Sequence, residues 1–129
     1  SLRPLPVTDV NRAALKDRAA YERAAIPIEH LHGPVLVTSG KQDLVWPSEA
    51  HGDLIVERLQ AHEHPYPYEH VCYEHAGHIA ALPHLPATGD RVRAPGTRTI
   101  VAFGGTAVGN AYARQDAWAS LLAFLDRSC

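Results

Sequence analysis

The chain has 129 residues, with 12 Lys and Arg against 14 Asp and Glu, a formal net charge of −2, 46% hydrophobic and 20% charged residues. That length holds one domain, here taken as residues 1–129, with a packed core, and the composition excludes wholesale disorder and a coiled coil. Scattered basic residues give no footprint for a phosphate polymer, and runs such as Pro34-Val35-Leu36-Val37 and Ile79-Ala80-Ala81-Leu82 fall short of the roughly 18 residues that span a bilayer, so neither nucleic acid nor a membrane is an expected partner.

Thr8 and Asp9 are placed to cap a helix from about Val10 to Ala25, which Ala13, Ala14, Ala19, Ala20 and Ala24 favour and Pro27 stops. Gly33-Pro34 then introduces Val35-Leu36-Val37-Thr38, a short apolar and β-branched run ended by Ser39-Gly40; it suits a strand buried in a parallel sheet. Pro47 and Ser48 mark a second helix start, with Leu54, Ile55 and Leu59 as its apolar positions, and Pro65-Tyr66-Pro67 breaks it. A second strand is predicted from Tyr68 to Tyr73. A long loop punctuated by Gly77, Pro83, Pro86 and Gly89 follows, then a short third strand over Arg98 to Phe103. After Gly104-Gly105 a last helix runs to about Asp126, its apolar stripe predicted at Trp118, Leu121, Leu122 and Leu125. Strands alternating with helices imply βαβ units, a parallel sheet and an α/β domain.

Two cysteines, Cys72 and Cys129, are far from a disulfide framework, so a reducing, cytoplasmic compartment is expected, with Cys72 a small core residue. The N-terminal Ser1-Leu2-Arg3-Pro4 lacks Met and the basic and apolar regions of a signal peptide, and reads as an internal piece of something longer. Nine histidines stand out. One reading of His70, His75 and His78, with Glu69 or Glu74, is a metal site, although the spacing matches no established ligand motif. His62 and His64 follow a helix, where a cation suits the dipole. A phosphate loop is excluded, because Lys41 is followed by Gln42 and the flanking glycines, Gly33 and Gly40, are too far apart.

The chemistry of an α/β fold gathers in loops at the carboxyl ends of its strands. One such loop holds Asp43 and the next holds His78, 35 residues on, a separation that fits one helix and one strand and returns the chain to the same sheet edge. An acid after one strand and a histidine after the next is the tail of a Ser…Asp…His order, in which the carboxylate fixes the tautomer of the base. The bland alternatives are a turn carboxylate for Asp43 and a backbone-bonded loop histidine for His78.

Further strings join these residues: Ala25-Ile26-Pro27-Ile28-Glu29, Gly33-Pro34-Val35-Leu36-Val37-Thr38-Ser39-Gly40, Asp43-Leu44-Val45-Trp46-Pro47-Ser48, Arg58-Leu59, Ala76-Gly77-His78, Pro83 and Pro86, Gly104-Gly105, Asp116-Ala117-Trp118 and Phe124-Leu125. In this order they resemble the C-terminal part of the acyl-CoA thioesterase and bile acid-CoA:amino acid N-acyltransferase family, relatives of dienelactone-hydrolase-like enzymes. The resemblance implies the C-terminal part of an α/β-hydrolase fold, with two or three mainly parallel strands and flanking helices. It implies Asp43 as the acid and His78 as the base of a Ser/Cys-His-Asp triad acting on acyl-CoA or another acyl ester, with no cofactor and no metal. Trp46 and Ser48 match family positions too, although packing and an N-cap explain them as well. The nucleophile is missing: Ser39, Ser48, Cys72 and Ser120 all lack the flanking glycines of an elbow. The chain is therefore expected to be inactive alone, and to need the nucleophile half or a second copy to cover its open sheet. A non-catalytic interaction remnant is the remaining alternative.

Overall fold

In the computed structural model, which describes residues 7–78, 82–86 and 88–128, the predicted parallel pair forms the centre. Strand β1 (Val35–Gly40) and strand β2 (Tyr68–Tyr73) run parallel in the register Val35 to Tyr68 through Gly40 to Tyr73. Between them helix α3 (Ser48–Ala61) crosses back, packing on both strands. The last helix, α4 (Ala107–Ser128), covers the other face, where Ala113 and Ala117 pack against Tyr73 and Ala76, with Val71 beside them. This α/β layering confirms the fold class expected from the alternation of elements. Ser1-Leu2-Arg3-Pro4, Ile79-Ala80-Ala81 and Cys129 lie outside the described residues, and with Cys129 the question of a disulfide.

Several expectations are corrected. The single helix predicted from Val10 to Ala25 is two: α1 (Thr8–Ala14) and α2 (Arg18–Ala24). Asp17 breaks it, because its carboxylate accepts from the Ala20 amide at 2.9 Å and caps a new helix instead of continuing the old one. The predicted third strand exists as β4 (Ile100–Ala102), but it pairs antiparallel with an unpredicted β3 (Arg91–Arg93) in a separate ribbon rather than extending the parallel sheet. On α4 the buried stripe is Asn110, Ala113, Arg114, Ala117 and Phe124, whereas Trp118, Leu122 and Leu125 are exposed. Small alanines let the helix approach the sheet closely, and that closeness, rather than side-chain hydrophobicity, selects the inner face. Cys72 is exposed, not core: it alternates to the side opposite Tyr73 on a strand with no outer neighbour among the described residues. His64 is buried, bonded through Nε2 to the Gly33 carbonyl at 2.9 Å, and so ties the end of α3 to the start of β1 rather than serving the helix dipole.

Arg58 on α3 clamps the N-terminal segments. Its Nε and Nη2 grip both Glu29 carboxylate oxygens, the latter bond at 2.7 Å, and Nη1 reaches Glu22 at 3.1 Å. The fork brings the single 3-10 turn Ile28–His30 and helix α2 onto α3. The same guanidinium holds the Glu29 carboxyl down at about 2, against 4.5 for the free group. A carboxyl lowered on folding adds stability that is complete above its unfolded value and is lost as pH falls through the folded one. Glu29→Gln is therefore expected to lower the melting temperature at neutral pH by more than it does near pH 3, the gap closing between 4.5 and about 2. Thermal melts of both proteins across that range check it; a gap that stays constant would refute it.

Candidate active site

β1 ends at Gly40, and the turn that follows makes a sharp reversal before α3. Asp43 builds this turn: its Oδ1 accepts from the amides of Val45 at 2.8 Å and Trp46 at 2.9 Å, an Asx arrangement that fixes the carboxylate by its own backbone. Ser48, the first residue of α3, is not an N-cap but ties the helix start back to β1, its Oγ donating to the Gly40 carbonyl at 3.1 Å. The turn after β2 lies alongside. The Gln42 amide donates to the Ala76 carbonyl at 2.9 Å, and the His78 amide to the Phe103 carbonyl at 2.8 Å.

Both predicted site residues therefore arrive at the same edge. His78 Nδ1 lies 3.1 Å from Asp43 Oδ2, with the carboxylate side chain 3% exposed and the imidazole 29%. Because a carboxylate only accepts, the ring must donate from Nδ1, which leaves Nε2 as the free lone pair of the neutral imidazole. Phe103 leans on the ring with centroids 5.6 Å apart. The pair opens onto a cavity of about 430 Å³, lined also by Ser39, Trp46, His51 and Ile55. A buried carboxylate, an oriented imidazole and a half-open face are the parts needed to take a proton from a group presented in that cavity.

The three histidines of the alternative metal reading diverge. His70 goes to Ser39 and Asp53, His75 to Gln42 and His78 to Asp43, and among the described residues no group of three His, Cys, Asp or Glu is arranged to hold a metal ion. The first of these contacts was not legible in the sequence. Ser39 Oγ is 2.7 Å from His70 Nε2, and His70 Nδ1 is 3.1 Å from Asp53 Oδ1. Parallel register brings β1 and β2 together, and the length of the connection brings Asp53 on α3 over them; no local string marks the three as partners. Ser39 lies inside β1, 3% exposed, and the contact joins β1, β2 and α3 beneath the Asp43 turn.

A family model described as BAAT / Acyl-CoA thioester hydrolase C terminal matches residues 7–129. The chain belongs to this family. Two curated relatives agree with the match. The chain is 30% identical to human acyl-coenzyme A thioesterase 6 over 105 residues, which cover 81% of the chain and 24% of the relative. It is also 30% identical to the mouse peroxisomal succinyl-coenzyme A thioesterase over 102 residues, covering 79% of the chain and 24% of the relative. The chain thus spans about a quarter of the length of these thioesterases. The thioester hydrolase C-terminal match takes in both the Asp43 turn and the His78 turn, the Gly104-Gly105 turn that braces them, and all of α4. Among the described residues no helix is long and apolar enough to cross a membrane.

Proposed function

We propose that the chain supplies the acid and base of an acyl-CoA thioester hydrolase or acyltransferase, Asp43 orienting His78 within a Ser/Cys-His-Asp triad, and that it does so as one domain, the C-terminal segment of an α/β-hydrolase. The observation that carries this reading is the 3.1 Å contact between His78 Nδ1 and a carboxylate that is buried and doubly bonded to its own backbone. His78 Nε2 takes the proton of the nucleophile as its oxygen or sulfur bonds to the thioester carbon. The same proton then passes to the departing thiolate as the carbon–sulfur bond breaks. Water, or an amine in an acyltransferase, enters next through the same base. The nucleophile and its oxyanion donors come from outside these residues, so the chain by itself is inactive.

The partner is either the nucleophile-bearing half or a second copy of the chain. Val108, Tyr112, Trp118, Leu122 and Leu125 are exposed along α4, and each edge of the β1–β2 pair lacks a neighbour among the described residues, which supports association through these surfaces. The same stripe favours the second reading, a binding remnant without catalysis. The exposed thiol of Cys72 suits a reducing compartment, read as cytoplasmic. Acyl-CoA hydrolysis by the purified chain, alone and mixed with a nucleophile-bearing segment, tests the proposal. Turnover is expected in the mixture alone; robust turnover by the chain itself would overturn the missing nucleophile, and none in either would favour the remnant.

A further inference from the structure

Helix α4 carries a polar residue where its buried face meets the turns after β1 and β2. Asn110 lies near the start of the helix and is 3% exposed. A residue that competes with helical backbone is there because its carboxamide is engaged at both ends. Oδ1 accepts from the Gly77 amide at 2.8 Å, and Nδ2 donates to the Gly104 carbonyl at 3.3 Å; the two partners fix which end of the group is oxygen. Glycines permit the approach. A Cβ on Gly109 would strike the His75 carbonyl, and one on Gly105 would strike Asn110 Oδ1, so helix, turn and side chain meet because both positions lack one. Thr106 anchors the helix start alongside, its amide donating to the His75 carbonyl at 3.0 Å and its Oγ1 accepting from the Gly109 amide at 2.9 Å.

Each partner of the carboxamide leads to one member of the acid–base pair. Gly77 precedes His78, whose own amide is held by the Phe103 carbonyl at 2.8 Å. Gly104 follows Phe103 and bridges to Asp43. One planar group thus joins the peptide in front of the base to the turn beneath the acid. We infer that Asn110 is a positioning residue for the reaction, setting the separation of the two turns and through it the contact of His78 Nδ1 with Asp43 Oδ2. It touches no reacting atom. The inference rests on the proposed role of Asp43 and His78 and adds the group on α4 that keeps them in register. The contact is sensitive to such a group because Asp43 is tied to its own turn through Oδ1. Its carboxylate cannot follow the ring when the His78 turn moves, and a displacement of about 1 Å is enough to cost roughly 10²-fold in rate.

The test pairs Asn110→Leu, close in shape but without donor or acceptor, with Ala117→Gly, which loosens the same helix away from both turns. In the 129-residue chain, nitrogen NMR of His78 is expected to show the Nδ1-protonated ring in Ala117→Gly and a mixture of tautomers in Asn110→Leu, with helical content alike by circular dichroism. In the enzyme that also carries the nucleophile, Asn110→Leu is expected to lower kcat about 10²-fold with KM nearly unchanged. Added to Asp43→Asn it is expected to lower kcat no further, because it acts through the contact that Asp43→Asn already breaks. Asn110→Gln restores both groups on a longer stem and is expected to recover part of the loss; where Asn110→Leu does not fold, the comparison of Asn110→Gln with the parent carries the test. A His78 spectrum and kcat in the Asn110 variants that match Ala117→Gly, or losses that multiply with Asp43→Asn, would assign Asn110 to stability alone and overturn the inference. Turnover that survives both Asp43→Asn and His78→Ala would overturn the acid–base reading itself, and this inference with it, so the two failures are told apart.

Discussion

Asp43→Asn is expected to lower thioester turnover by about 10⁴-fold in the enzyme that also carries the nucleophile, with KM nearly unchanged. The size of the effect comes from the tautomer, not from the fold. Asn keeps an oxygen for the amides of Val45 and Trp46, so the turn survives. Its amide nitrogen, however, is a donor, and once the oxygen is committed to the backbone it is the NH₂ that faces His78 Nδ1. The ring then holds its proton on Nε2, the atom that has to accept one from the nucleophile. His78→Ala removes the same step, and the double variant should be no worse than either single one, since the two residues act as a unit. The tautomer can also be read in this chain alone: nitrogen NMR of His78 is expected to show the Nδ1-protonated ring in the parent and the Nε2-protonated ring in Asp43→Asn. If Asp43 served only to shape the turn, the parent and the variant would share a tautomer, and any loss of activity would track loss of folded protein.

What could be foreseen divides along the range of the interactions involved. β1 and β2 are short runs rich in apolar and β-branched residues between turn residues, and a helix-length connection forces them parallel, so they and the meeting of Asp43 with His78 follow from local pattern and order. The break at Asp17 is a competition between a helix and a cap, which propensity alone does not decide. The inner face of α4 departs from the leucine stripe that helical periodicity predicts. The sheet there needs Ala113 and Ala117 for close approach, and the Trp118, Leu122 and Leu125 stripe is turned outward. β3 is three residues, two of them arginines, and exists because β4 is there to pair with it. Ser39, His70 and Asp53 come together through strand register and the reach of α3, neither of which leaves a local mark in the sequence. The contact between Asp43 and His78 is thus legible in the sequence, and its surroundings are not.

Gly104→Ala is expected to be the most damaging single-methyl change in the chain, costing roughly 3–5 kcal/mol of stability. Gly104 sits at φ +79° and Gly105 at φ +73°, a pair of left-handed residues that folds the end of β4 back under the two catalytic-loop candidates. Gly104 bridges to Asp43 and Gly105 to Ala76, so this turn is the floor on which both loops rest. A Cβ on Gly104 would run into the Gln42 carbonyl oxygen and reach the Leu44 side chain at 2.9 Å. Backbone on one side and a strained φ on the other leave no direction in which the methyl is relieved, so the turn has to move, carrying away the Phe103 carbonyl that holds the His78 amide. Gly96 isolates the two contributions: its φ is +72° but a Cβ there meets nothing within 4 Å, so Gly96→Ala should cost only about 1–2 kcal/mol from backbone strain. Denaturant unfolding of the two variants side by side measures the difference. A large gap assigns the cost of Gly104→Ala to crowding beneath Asp43, whereas equal losses would mean that positive φ alone accounts for it and that the floor under the two loops is softer than this packing requires.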